Sequence, residues 1–106
     1  MEKVSFLRIA REKAQSGNIR LSLHAQEEAL DEDILIEDIL NVLSTGYVLE
    51  PYPDDPRGAS CLFVGQGGNA SWIHVLAGDF KQRNLVIITV YRPEPPKWID
   101  PFTRGG

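Results

Sequence analysis

Cysteine, histidine and methionine are nearly absent from this chain, and no apolar run approaches the length of a membrane span. A single cysteine, Cys61, closes no internal disulfide and builds no zinc site alone. It lies in Cys61-Leu62-Phe63-Val64, a setting that suits a small buried hydrophobe better than a reactive thiol. The two histidines, His24 and His74, belong to no close metal-ligand cluster, so neither a metal nor another cofactor is expected. A P-loop, a dinucleotide fingerprint and a Gly-x-Ser-x-Gly elbow are all missing. Lys3, Arg8, Arg11 and Lys13 interrupt the N-terminal segment, which therefore does not read as a secretory signal. The expectation is a cytoplasmic protein without membrane contact.

Basic residues are scarce in one place above all: no Lys or Arg stands between Leu21 and Pro56. Residues 1–45 carry five bases and nine acids, and residues 46–106 carry six of each. A basic footprint for nucleic acid over the whole molecule is thereby excluded, and any RNA-binding surface is expected from the neutral second half. What is present is ordinary: 106 residues, 42% hydrophobic and 25% charged, the size and composition of one domain over 1–106.

Apolar spacing predicts a helix over 2–15, with Phe6, Ile9, Ala10 and Ala14 near one face and Val4 and Leu7 beside it. Ser16-Gly17-Asn18 stops it, since Gly and Asn accept a left-handed helix end. Ile19 to Leu23 alternates as a short strand. Ser22 to Asp31 reads as a second helix capped by the Ser22 hydroxyl, with Ala25, Ala29 and Leu30 inward. On it Glu27/Asp31 and Glu28/Glu32 are like-charge pairs one turn apart, each costing ~0.2–0.5 kcal/mol. Either a solvated acidic face or something outside the helix must offset that repulsion. Ile36, Ile39, Leu40 and Leu43 mark a third helix over 35–44, with Glu37 and Asp38 at its dipole-favoured start and Gly46 at its end.

From Tyr47 the period changes to two. Residues 47–52, 60–65, 70–77 and 85–91 read as strands separated by Gly-, Pro- and Asp-rich turns, a four-stranded antiparallel meander. Val86, Ile88 and Val90 are expected on one face of the last strand, with both faces covered. Pro93, Pro95 and Pro96 end the sheet. Lys97-Trp98-Ile99 is expected to pack back on the body, and the tail 99–106 to fray at Arg104-Gly105-Gly106. The fold class is α+β: a helix, a short strand, two helices, then the meander.

Candidate chemistry centres on few side chains. His24 stands where a strand hands over to a helix, either as a general acid or base or as a hydrogen-bonding lock. His74 shares a face with Trp72 and Leu76, either as a satisfied core histidine or lining a cleft. Arg57 follows a Pro-Asp-Asp-Pro turn, and Tyr91-Arg92 closes the last strand; both suit phosphate contacts, or are solvated surface groups.

Ser22-Leu23-His24-Ala25 with Glu27, Ile34, Glu37-Asp38, then Tyr52-Pro53-Asp54-Asp55-Pro56-Arg57-Gly58, Ile73-His74-Val75, and finally Ile88 through Trp98 together resemble an uncharacterised bacterial family, domain of unknown function 4258. The resemblance covers residues 19–98. It implies a RelE/BrnT/MqsR-like fold, helices packed on one face of a curved antiparallel sheet, with a toxin-like role beside a cognate antitoxin-like protein. It further implies binding or metal-free cleavage of RNA, free or on the ribosome. The marked positions fall on His24, Arg57, His74, Tyr91 and Lys97, around one concave side of the sheet. His24, His74, Arg57 and Tyr91 are then the catalytic candidates, and Arg92 and Lys97 the RNA-binding ones. Where the resemblance implies arginines, Glu28 and Glu32 stand instead. A non-catalytic interaction domain is the rival expectation, and a small-ligand binder using the Trp72/His74 face a third.

Overall fold

The computed structural model describes residues 1–105. Helix α1, Lys3–Ser16, stops at Gly17, whose φ of 78° places it in the left-handed region that glycine enters without penalty. Its inward face is Phe6 and Ala10, while Val4, expected beside that face, points to solvent. Strand β1, Ile19–Leu21, is followed at once by α2, Leu23–Asp31, whose first turn is capped as expected: the Ala25 amide donates to the Ser22 hydroxyl at 3.0 Å. Helix α3, Ile36–Thr45, begins with Asp38 accepting from the Leu35 amide at 2.9 Å. Its acids suit the positive end of the helix dipole. It ends at Gly46, where only glycine fits: a Cβ there would lie 2.4 Å from the Val64 carbonyl oxygen and 2.5 Å from that of Val42.

The strands that follow are β2 (Tyr47–Tyr52), β3 (Ser60–Gln66), β4 (Trp72–Gly78) and β5 (Leu85–Tyr91). The sheet differs from a four-stranded antiparallel meander. It has five strands in the order β1-β5-β4-β3-β2, and β1 joins β5 in parallel, so the sheet is mixed. A parallel partner is reached only through a long crossover; here α2, α3 and three strands lie between β1 and β5 in the chain. That pairing leaves no local trace in three residues.

All three helices bury side chains in one cluster on one face of the sheet. Phe6, Ala10, Ala25, Ala29, Ile39, Val42 and Leu43 meet Cys61, Phe63, Ile73, Val75 and Ala77 there. Phe80, in the turn after β4, completes it, its ring edge-on to Phe6 at 4.7 Å. Two expectations fail at this core. Leu30 is 83% exposed, because α2 meets the core with Ala25 and Ala29 alone. Val90 is not on the face of Val86 and Ile88: Leu76 pairs with Thr89 and Ala77 with Ile87, so Ile88 is an extra residue. Such a bulge reverses the side-chain alternation beyond it, and Val90 joins Leu85 and Ile87 in the core.

The opposite face is covered by the end of the chain. Short strands β6 (Trp98–Asp100) and β7 (Thr103–Arg104) pair with each other and return over β4 and β2. Of Lys97-Trp98-Ile99 only Trp98 packs back, Lys97 and Ile99 being exposed, and Arg104 does not fray: its guanidinium makes two bonds of 2.7 Å to the Glu50 carboxylate and stacks over Trp98. Gly105 packs so closely on Pro96 that no Cβ fits. Gly106, the last residue of the expected frayed tail, lies outside the described residues.

Removing the loop aromatic opens a cavity between α1 and the sheet, so Phe80→Ala is expected to cost about 3–5 kcal/mol. A urea unfolding curve with a lowered midpoint and unchanged slope would show it; an unchanged midpoint would contradict the packing.

Candidate functional site

Strand β5 organises the site through its outer edge. Strand β1 pairs only with Leu85, Val86 and Ile87. Beyond it, Ser22 takes over, its amide donating to the Ile87 carbonyl (2.9 Å) and its hydroxyl to that of Ile88 (3.0 Å). Then α2 supplies acceptors: Glu28 receives the Val90 amide at 3.2 Å, and Glu32 the Arg92 amide at 2.9 Å. Carboxylates four apart on a helix rise by ~6 Å, and alternate strand amides repeat at ~6.8 Å, so the two elements match in pitch. The like-charge repulsion of Glu28 and Glu32 is offset here by two backbone donors. Arginines would have no use for those amides.

Between α2 and the segment after β5 lies a cleft of about 640 Å³. His24, Tyr91, Arg92 and Lys97 line it together with Glu28, Glu32, Glu94 and Trp98. The His24 side chain is 65% exposed, with its Nε2 3.2 Å from Glu28 Oε1. Arg92 is not available to a ligand. It spans from α2 to the β3–β4 hairpin, donating to the Glu32 carbonyl (3.2 Å), the Asp33 carbonyl (3.2 Å) and the Ser71 hydroxyl (2.6 Å). Sequence reasoning marked it for RNA; the fold uses it as a clamp. Lys97 makes no side-chain hydrogen bond among the described residues and is the cleft's free cation.

His74 backs this cleft without reaching it. It is fully buried, edge-on beneath Trp98 at 4.4 Å between ring centroids. Its Nε2 lies 2.6 Å from the Pro101 carbonyl, which only accepts, so Nε2 carries the proton. Nδ1 then accepts from the Tyr91 hydroxyl at 3.0 Å. Burial holds the imidazole below its ordinary range and raises the Tyr91 phenol above its own, so both are neutral near pH 7. His74 is thus a structural histidine that orients Tyr91.

Arg57 stands elsewhere. Its loop between β2 and β3 pairs it with Asp55 at 3.3 Å, and it borders hollows shared with Gly78, Asp79 and Val86, at the Leu85 end of β5. Tyr91, the last residue of that strand, lines the cleft beside α2, and Arg57 does not. The expected single hollow holding every marked residue is not formed. Near Arg57, however, Arg20 and Arg83 share a hollow with Val86, and Lys81 borders the neighbouring one. These bases were missed, although Lys81-Gln82-Arg83 between two strands was visible as a basic turn. Burial pushes the Cys61 thiol up to about 12, which removes it as a nucleophile. Among the described residues no group of three or more His, Cys, Asp or Glu is placed to hold a metal, and no helix is long and apolar enough to cross a membrane.

Fold and site together define a small α+β domain with an acid- and base-lined cleft at the end of β5. The family model described as Domain of unknown function (DUF4258) matches residues 21–92, and the chain belongs to that family. The match runs from the end of β1 to Arg92, and so holds both partners of each α2–β5 contact. No curated protein and no solved structure matches the chain.

Two outcomes follow from the geometry. Glu32→Ala strands the Arg92 amide and is expected to cost about 1–3 kcal/mol; hydrogen exchange should quicken at Arg92 before the rest of β5. The unfolded chain protonates His74 near 6.5 while the fold keeps it neutral, so the unfolded state binds the extra proton. Stability is then full above that value and declines as pH falls through it towards the lowered folded pKa. Melting temperatures measured from pH 7.5 to 5.5 should fall in the native protein and flatten in His74→Gln, which keeps a donor for Pro101 but does not titrate.

Proposed function

We propose that this chain is a toxin-like protein of the cytoplasm that binds or cuts RNA without a metal, as one member of a toxin–antitoxin-type pair. The observation that carries it is the meeting of the exposed His24 imidazole and the Lys97 ammonium, which has no side-chain partner among the described residues, in one cleft beside Tyr91. Metal-free RNA cleavage needs a base for the 2′-hydroxyl proton, an acid for the leaving 5′-oxygen, and positive charge for the phosphorane. His24 takes the 2′-hydroxyl proton and, as the imidazolium, returns it to the leaving 5′-oxygen, Glu28 holds its ring, and Lys97 contacts the phosphate. Arg20 and Arg83 lie at the opposite end of the same strand, where they suit the RNA backbone running along it. Arg57 belongs with those outlying bases, His74 supports Tyr91, and Arg92 maintains the cleft's shape.

A second reading has its own observation: Glu28, Glu32 and Glu94 line the same cleft, and a polyanion is poorly served there. In that case the chain is a non-catalytic protein-interaction domain with no proton chemistry at His24.

A ribonuclease assay of the purified chain, with and without ribosomes, separates the two. Under the first reading His24→Ala lowers cleavage by about 10²–10⁴-fold. Lys97→Ala weakens binding and cleavage together. Intact RNA under both conditions, or a His24→Ala protein that cuts equally well, would leave the interaction domain standing.

A further inference from the structure

The acids of α2 and the start of α3 divide into two sets. Glu28, Glu32 and Asp38 turn inward, each accepting from a backbone amide of β5, of Leu35 or of the β3–β4 hairpin. Glu27, Asp31, Asp33 and Glu37 are exposed, and among the described residues none has a side-chain hydrogen bond or ion pair, although the Asp33 carbonyl accepts from Arg92. Interleaved with this second set are Leu23, Leu30, Leu35 and Ile36, at 71%, 83%, 58% and 45% exposure.

Leu23 and Leu30 are seven residues apart, two helical turns, so they form one stripe with Glu27 between them. The stripe lies away from Ala25 and Ala29, which face the core, and beside rather than within the cleft lined by His24 and Glu28. Exposed leucines scattered singly carry no message. Four large apolar side chains within fourteen residues, interleaved with four carboxylates that have no side-chain partner among the described residues, give this stretch an exposed face of mixed apolar and negative character.

We propose that this face, the outer side of α2 and the turn into α3, docks a basic amphipathic helix of a partner protein. The apolar stripe matches a helix that presents leucine-like anchors every second turn. The carboxylates match flanking lysines or arginines, and the segment from Leu21 to Pro56 brings no cation of its own to compete. A second copy of this chain fits badly, since a two-fold contact through the face sets the same acids against each other. Nucleic acid and anionic membranes are repelled by it. The surface is separate from the cleft, so partner docking does not depend on whether the cleft cuts RNA.

The test uses the full chain and a labelled synthetic helical peptide of about 18 residues, with leucines along one face and lysines beside them. Its control is the same composition shuffled so that no face is apolar. Fluorescence anisotropy is expected to show the shuffled peptide binding at least about 10-fold more weakly. Leu23→Ser with Leu30→Ser, and separately Glu27→Lys with Asp31→Lys, should each lose about 10-fold or more, while amide shifts map to α2 and the start of α3. Added salt should weaken binding. Equal affinity for both peptides, affinity in either variant unchanged from the native chain, no binding of the amphipathic peptide, or shifts confined to the Tyr91–Lys97 cleft would each overturn the assignment. A dimer by sedimentation that Leu23→Ser with Leu30→Ser dissolves would overturn it as well, by placing a second copy on the face.

Discussion

The outer edge of β5 needs hydrogen-bond partners, and meeting that need sets the position of almost everything else. A buried strand cannot leave its amides and carbonyls unpaired without losing about 1–3 kcal/mol at each. Here β1 covers three residues, Ser22 the next two carbonyls, and Glu28 and Glu32 two amides beyond. One continuous edge is thus satisfied by a strand, a cap and a helix in succession. Since the same Ser22 hydroxyl also caps α2, the start of the helix and the end of the strand pairing are a single junction.

Anchoring α2 along an edge, instead of laying it flat on the sheet, has consequences on each of its sides. The Ala25/Ala29 side is narrow and small, so the helix sits close to the core without large apolar residues. The His24/Glu28 side becomes one wall of the cleft. On the remaining side, among the described residues, Leu23 and Leu30 are exposed. The acidity of the helix is therefore of two kinds. Two carboxylates act as structural acceptors for β5, and the others face outward.

The second sheet face depends on the C-terminal hairpin in a comparable way. Trp98, Phe102 and Arg104 cover polar and aromatic groups that would otherwise be open: His74, Trp72 and Glu50. Under that cover His74 is neutral and has one tautomer, and Tyr91 is held with its hydroxyl turned to it. The chemistry left to the solvent-reachable cleft is smaller than the list of marked residues implies. His24, Tyr91 and Lys97 remain, with Arg57 at the far end of the strand and Arg92 engaged on all sides.

Much of the architecture was legible residue by residue. Gly17 and Gly46 end helices, Ser22 begins one, and the period-two runs at 47–52 and 85–91 are strands with those bounds, because caps, turns and alternation are local. The burial of Cys61 and the side of β4 taken by His74 follow from the same local period. Anything requiring two distant segments was not. The parallel β1–β5 pair, the bulge at Ile88 that turns Val90 inward, and the outward Leu30 each depend on which element lies alongside. So do the capture of Arg92 by Glu32, Asp33 and Ser71 and the return of Arg104 to Glu50. The sequence by itself determined the helices, most strands and the residue types available for chemistry. Only the tertiary structure decided which of them are free, because a guanidinium or carboxylate bonds whatever donor or acceptor the fold brings within 3 Å, however far away that group lies in the chain.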